Sequence, residues 1–553
     1  MERKALICGA LALALAATGF GVPAWHYDDD VSELVASMDE SELAGQVLML
    51  GYHGEFPSDE FVDFIQRAAI GGIKVFGWNA GNLRVLSAGI SRMQEAASLS
   101  SLSVPLLVAT DQEGGWVRHI KGETSETPGN LAIGASGMAI DAYQSGLVIG
   151  RELWLLGINM NFAPTVDVYT HPDAEVIGPR AFSADPVETA FLSIAFYRGL
   201  EEAGVVATAK HFPGHGNTGV DSHGAMPVIE DSLETIWSRD LLPYRMLVAE
   251  GLPAIMSGHL SFPAITGDEF PATLSPKFLQ EILRDTLGFN GMVITDDLRM
   301  FGVLQGGKDI VEVCKLALEA GNDMLLISTN LALHERVHDF LTNEARNDRA
   351  FRRTLQGAAL RILRIKQRYI SRGVAPQVDD DQIGHILDPE GRDALFDLAC
   401  RSIAVGGAES IPISESDMEG GGAKLLLVGQ HAEFFSQGFN RFPSAETFQF
   451  PFGGASESQV SSLLTLANGA DRVIFCLGNE PGLELLESLE PIAEKVTVFS
   501  VHTPMYLGDA PWIRSSIATF ARGVDSFRAG FAVLAGDYVP EGSMPIPLEP
   551  SDE

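Results

Sequence analysis

Eight short apolar runs, separated by stretches with helical spacing, constrain this chain more than any other feature. The runs fall at residues 46–51, 72–76, 105–109, 159–163, 207–210, 254–257, 291–295 and 323–327. Helical patterns fill the gaps at 60–69, 83–97, 140–156, 186–203, 232–250, 277–287 and 310–320. Several of them end near a glycine, as Gly157, Gly204, Gly251 and Gly288 show, which is how helices commonly terminate. Strand alternating with helix argues for a parallel sheet. Eight strands in this length predict a closed (β/α)8 TIM barrel rather than an open sheet.

The residues just after these runs support the barrel. Polar and glycine-rich sequence gathers there: DQEGG at 111–115, KHFPGH at 210–215, SGH at 257–259 and Asp296-Asp297. In a barrel all these strand ends meet on one face, where active sites lie.

The sequence predicts a barrel over 25–372 and a linker over 373–394, the latter from Pro376 and the acidic run 379–381. A smaller α/β sandwich domain is expected over 395–553. Its strands are read at 402–405, 424–428, 472–476, 496–501 and 516–520, its helices at 458–467 and 527–535, with an acidic, proline-containing tail after Val539.

Residues 1–24 read as a targeting segment. Arg3 and Lys4 precede an apolar run over 5–22, followed by Val22-Pro23-Ala24, the layout of a secretory signal peptide. An uncleaved anchor is the other reading, since the run approaches bilayer length. Both place the body of the protein outside the cytoplasm, secreted, periplasmic or in the cell envelope, touching membrane only through that segment. A formal net charge of −35 opposes nucleic acid or an anionic membrane surface as partner. Cys314, Cys400 and Cys476 are widely scattered and read as buried thiols rather than a disulfide framework or a metal site. The pattern leaves oligomeric state open.

The densest chemistry lies at 210–223, where fourteen residues hold Lys210, His211, His215, Asp221 and His223. By residue type the cluster could be a metal site, although no HExxH or comparable ligand spacing occurs there. By themselves these residues also fit structural hydrogen bonding.

The stretch KHFPGHGNTGVDSHGAMPVI at 210–229 resembles the signature of bacterial β-N-acetylglucosaminidases of glycoside hydrolase family 3. DQEGG at 111–115, IGPRAFSADP at 177–186 and ITDDLRM at 294–300 resemble other elements of that family, in family order. The resemblance implies a retaining exo-glycosidase that releases terminal β-linked N-acetylglucosamine from glycans such as peptidoglycan fragments or chitooligosaccharides. It assigns Asp296 as nucleophile and His223, assisted by Asp221, as acid/base, and it implies no metal or organic cofactor. It also carries over Asp111, Arg180, Lys210 and His211 as substrate-binding residues. The chemistry agrees. Retention needs a nucleophile on one face of the sugar and a proton donor at the departing oxygen, and histidine both gives and takes a proton near neutrality.

This chain departs from its relatives in places. His119 stands where they often carry arginine, with Arg118 beside it, and Trp78 and Trp116 also replace arginines. The tryptophans read equally as sugar-stacking or as packing residues. A β-N-acetylglucosaminide phosphorylase or a family 3 β-glucosidase remains an alternative function. A non-catalytic cell-surface sugar-binding protein would be expected to lack Asp296, Asp221 or His223, and all three are present.

Overall fold

The computed structural model describes residues 31–222, 224–300, 308–328, 330–370, 389–407, 411–413 and 424–548. The targeting segment at 1–24 and most of the linker at 373–394 therefore lie outside the described residues. The last residues of that linker open the helix Pro389–Ser402.

The first sheet contains β1 (Leu48–Gly51), β2 (Gly72–Lys74), β3 (Leu107–Thr110), β4 (Met160–Asn161), β5 (Val206–Phe212), β6 (Ala254–Ser257), β7 (Met292–Thr295) and β8 (Leu325–Ile327). Each strand pairs in parallel with the next, and β8 returns to β1 with Leu48 opposite Leu325. A parallel bridge between Ile294 and Met324 joins β7 to β8 and closes the ring. Every residue of these strands is buried. Burial on both faces explains why the strands read as continuous apolar runs rather than alternating ones.

The helices pack outside. Asp185 caps Pro186–Glu202 by accepting from the backbone of Val187 and Glu188, as an N-cap acid should. That helix lies unusually close to Ala139–Leu155. A Cβ on Gly199 would fall 2.1 Å from the Tyr143 carbonyl oxygen, and one on Gly146 would fall 2.2 Å from that of Phe196. Only glycine permits this approach.

One expectation needs correction. The single helix read at 232–250 is two, Leu233–Ser238 and Leu241–Ala249. Pro243 has no N–H to give to an upstream turn, so the chain starts a new helix in which proline occupies the first turn. The tail after Val539 is described as far as Leu548, and that part packs back on the fold. Gly542 bridges to Ala404, the Pro545 carbonyl accepts from Ala184 N at 3.0 Å, and Ile546 is buried.

The second sheet runs in the order β9 (Ala404–Gly406), β14 (Ser516–Ala518), β13 (Val496–Ser500), β12 (Arg472–Leu477), β10 (Leu425–Gly429) and β11 (Glu446–Gln449). Only the β9–β14 pairing among these is antiparallel. Apolar layers cover both faces, one around Phe434, Phe499 and Phe531 and the other around Phe450, Phe475 and Leu486. β11 escaped the sequence reading because it is a largely exposed edge strand of sequence ETFQ, and edge strands are often polar.

The two bodies share an apolar seam that joins Leu131, Tyr169 and Ala181 to Ala404, Phe520 and Ile546. Polar contacts flank it: Tyr169 Oη lies 3.2 Å from Thr503 Oγ1, and Tyr506 Oη donates to Glu175 Oε1 at 2.7 Å. Buried Asp141 pairs with Arg401 across the same boundary. Among the described residues, no helix is long and apolar enough to cross a membrane.

Candidate active site

The C-terminal strand ends bring the charged groups together. Lys74 ends β2, Asp111 follows β3, Lys210 and His211 lie within the last turn of β5, His259 follows β6 and Asp296 follows β7.

An alternating ion chain forms the floor. Lys74 Nζ pairs with Asp111 Oδ2, and Lys210 Nζ sits 2.6 Å from Asp111 Oδ1 and 2.5 Å from Glu113 Oε1. Arg180 closes the chain with Nε 2.8 Å from Glu113 Oε2 and Nη2 2.9 Å from Oε1. The Asp111 side chain is 18% exposed while Lys74, Lys210 and Glu113 are each at most 3% exposed. Asp111 is thus the carboxylate of this chain that reaches the opening. Burial works against the charge of Glu113, but Arg180 and Lys210 hold its carboxyl down to about 2. Burial likewise opposes charge on Asp111, and Lys210 and Lys74 hold it well below the carboxylate range. Three cations and two carboxylates leave this ion chain with one net positive charge, and Asp296 lies within the reach of Lys74 and Lys210.

Asp296 is held at its backbone, where its N–H donates to the Ser257 carbonyl at 3.0 Å. Its Oδ1 accepts from Asp297 N at 2.8 Å. Burial raises its pKa, but His259, His211, the Asp297 amide and Lys210 together bring it below the ordinary value. The result is an ionised carboxylate in a largely desolvated place, as a nucleophile requires. Asp297 turns away: its Oδ1 accepts from Arg299 N at 3.0 Å and Ser328 N at 3.2 Å, while its carbonyl lies 3.1 Å from His259 Nε2. It braces the turn after β7.

Sequence reasoning missed the organiser of the histidine loop, Asp167. This fully buried side chain accepts from His211 Nδ1 at 2.7 Å and from the backbone N–H groups of His211 and His215 at 3.1 and 2.7 Å. Burial opposes its charge, yet His211 and His215 bring its carboxyl down to about 2. On the other side of the ring, Arg180 Nη2 approaches His211 Nε2 at 3.2 Å. A guanidinium can only donate, so Nε2 accepts and Nδ1 carries the proton given to Asp167. His215 Nε2 meets the hydroxyl of buried Ser222 at 3.1 Å, which ties the loop down one residue before position 223. His223 itself lies outside the described residues. Asp221 is exposed, and its carbonyl accepts from Gly224 N and Ala225 N at 3.0 Å each.

The remaining aromatic candidates flank this centre. Trp78 stacks on Phe76 with centroids 4.3 Å apart and donates from Nε1 to the Tyr52 carbonyl at 3.1 Å. Trp116 lies 5.6 Å from His502 of the second body. His119 Nδ1 comes within 3.7 Å of Asp111 Oδ2, and burial, with Lys74 nearby, lowers its pKa to about 4. Cys314 and Cys476 are buried, and burial pushes both thiols up.

A closed parallel barrel with carboxylates and cations converging at its C-terminal mouth is an architecture that glycoside hydrolases share with other barrel enzymes. The chain belongs to glycosyl hydrolase family 3, whose N-terminal domain model matches residues 35–365. A β-hexosaminidase of Tolumonas auensis is 38% identical over 299 residues, covering 54% of this chain and 86% of that protein. β-Hexosaminidase A of Pseudoalteromonas piscicida is 37% identical over 294 residues, or 48% of this chain, which spans about half (49%) of that relative's length. Among solved structures, a family 3 β-N-acetylglucosaminidase from Paenibacillus superposes with a TM-score of 0.83 at 29% identity, covering 93% of this chain and 99% of the other. The likeness therefore extends over the second body as well as the barrel.

Proposed function

We propose that this protein is a retaining exo-glycosidase that removes terminal β-linked N-acetylglucosamine. The observation that carries the reading is the place of Asp296: it follows β7 directly at the barrel mouth, anchored to Ser257, where His259, His211 and Lys210 lower its pKa. In the proposed reaction its free oxygen attacks the anomeric carbon, the glycosidic bond breaks, and a glycosyl-enzyme forms. His223, oriented by Asp221, gives its proton to the departing oxygen and then takes one from the water that hydrolyses the intermediate. Asp111, backed by Lys74 and Lys210, receives hydroxyls of the non-reducing sugar. Arg180 and His211, fixed by Glu113 and Asp167, complete the cradle. The acetamido preference rests on the Asp-x-His loop and on relatives described as β-hexosaminidase and β-N-acetylglucosaminidase. Peptidoglycan fragments and chitooligosaccharides are the proposed natural glycans, met outside the cytoplasm after export by the N-terminal segment.

The test compares initial rates on aryl β-N-acetylglucosaminide and aryl β-glucoside, with and without phosphate, and follows the product anomer by NMR. Turnover of the acetamido sugar with a β-anomer as first product supports the reading. Preference for the glucoside overturns the substrate, and a requirement for phosphate makes the enzyme a phosphorylase.

A further inference from the structure

Residues 167–180 link three parts of the molecule. The segment begins at Asp167, which holds His211 and His215, and ends at Arg180, which grips Glu113. Between those ends one side lies against the loop that leads to Asp221, and the other lies against the second body.

The loop side is close. The backbone N–H groups of Thr170 and His171 both donate to the Gly216 carbonyl, at 3.0 and 3.2 Å. A Cβ on Gly216 would fall 2.0 Å from the Val168 carbonyl oxygen, and one on Gly219 would fall 3.0 Å from Asp173 Cβ. Glycine lets the two backbones meet without a side chain between them. With His215 N also donating to Asp167 at 2.7 Å, the path from His215 toward Asp221 takes its position from this segment.

The other side is tied to the second body. Tyr169 is buried in the apolar seam with Phe520 and Ile546, and its hydroxyl lies 3.2 Å from Thr503 Oγ1. Tyr506 Oη donates to Glu175 Oε1 at 2.7 Å. Burial, and then the bond to Glu175, push the Tyr506 phenol up, so it stays a donor at neutral pH. The turn that presents Thr503 and Tyr506 starts at His502 with φ +64°, a region that residues other than glycine rarely adopt. These ties work against repulsion. A cleft of about 430 Å³ opens beside them, lined by Asp173 and Glu175 from the segment and by Glu480, Glu484 and Glu487 from the second body. Like charges on both walls push the bodies apart. A hydrogen bond from a neutral phenol to one of those carboxylates offsets part of that push.

We propose that Tyr506 and Thr503 are positioning residues: by holding residues 167–180, the second body sets where the loop presents its proton-transfer groups to the leaving oxygen. The inference rests on the glycosidase reading above and on its assignment of Asp221 and His223. Neither Tyr506 nor Thr503 touches the sugar, and both act through the backbone of the segment.

A displaced proton donor slows only those substrates whose leaving group needs the proton. The experiment therefore compares kcat/KM for dinitrophenyl and phenyl β-N-acetylglucosaminides, since this constant reports the step that breaks the bond to the leaving group. In Tyr506→Phe and in Thr503→Val the phenyl substrate should lose about tenfold and the dinitrophenyl substrate no more than about twofold. Glu175→Ala should behave like Tyr506→Phe, whereas Glu175→Gln keeps an acceptor for the phenol and should stay near wild type. Equal losses on both substrates, or no loss on the phenyl substrate, overturn the proposal. Hydrogen exchange gives a readout that does not depend on turnover. The amides of Thr170, His171 and residues 214–221 should exchange faster in Tyr506→Phe than in wild type, while those of β1 stay unchanged; unaltered exchange at 214–221 also overturns the proposal. Thermal melts identify a variant that fails to fold, and should Tyr506→Phe do so, Thr503→Val carries both measurements. If the wild-type enzyme cleaves neither substrate, the glycosidase reading is what fails, and exchange then decides the coupling by itself.

Discussion

Arg180 holds Glu113 through two parallel hydrogen bonds, Nε to Oε2 at 2.8 Å and Nη2 to Oε1 at 2.9 Å, with both side chains nearly inaccessible to water. A fork-to-fork pair of this kind fixes both groups in one plane. Because Nη2 also reaches His211 and Glu113 also reaches Lys210, one ion pair sets the position of two further site residues.

Removing one partner should therefore damage the enzyme twice. Glu113→Gln takes the carboxylate partner from buried Arg180 and one of two from Lys210, which keeps Asp111, and should destabilise the fold by about 3 kcal/mol. Arg180→Lys keeps the charge but loses the fork, and should cost less stability while raising KM. Denaturant unfolding set beside steady-state kinetics separates the two effects. Equal stability of Glu113→Gln and wild type would contradict the burial argument.

Asp296→Asn keeps size and removes the nucleophile. Activity on the aryl acetamido glycoside should fall at least about a thousandfold, with substrate binding retained by calorimetry. Residual activity within tenfold of wild type would move the nucleophile elsewhere.

Asp167 touches no proposed substrate atom, yet it holds the backbone of His211 and His215 and the His211 ring. Asp167→Asn should lower kcat/KM about a hundredfold through misplacement, and the pH–rate profile should change shape along with its height. A profile of unchanged shape and a loss confined to thermal stability would mark Asp167 as purely structural.

Acid should attack the same network. Glu113 and Asp167 both have carboxyls lowered to about 2 in the folded protein, below their ordinary values of about 4. Their stabilising contribution is complete above the unfolded values and is lost as pH falls through about 2. Thermal melts from pH 5 to 2 should show stability falling steadily, and Asp167→Asn should flatten that slope.

Lys366 also costs stability as pH falls, but over a higher pH range. It is fully buried, bonded to Gln46 Oε1 at 2.9 Å, and burial lowers its pKa to about 7. Above the unfolded value of about 10.5 it is neutral in both states and imposes no penalty. Between there and about 7 the unfolded chain binds the extra proton, so stability falls as pH falls, and below about 7 the penalty is complete. Lys366→Met should raise the melting temperature at pH 6 and do so less at pH 9. An equal shift at both values would show that the lysine is not desolvated.

Much of this protein is written locally. All eight barrel strands could be placed from apolar runs, because a parallel barrel buries both faces of each strand and leaves a local signature. The positions of Asp111, Lys210, His211 and Asp296 at the barrel mouth were legible as well, since polar residues that close an apolar run fall where β3, β5 and β7 end. The pairings were not legible. Arg180 finds Glu113 across 67 positions and His211 finds Asp167 across 44, and nothing in either neighbourhood names its partner. Asp167 sits in an ordinary stretch of sequence, and its role exists only because a buried carboxylate must be satisfied by whatever donors the fold brings near. The same holds for Trp116 and His502, which meet only because the second body docks on the barrel. Spacing along the chain determines the strands and the groups they present; which charges neutralise one another, and which walls enclose a cavity, is decided only by the distances that tertiary packing creates.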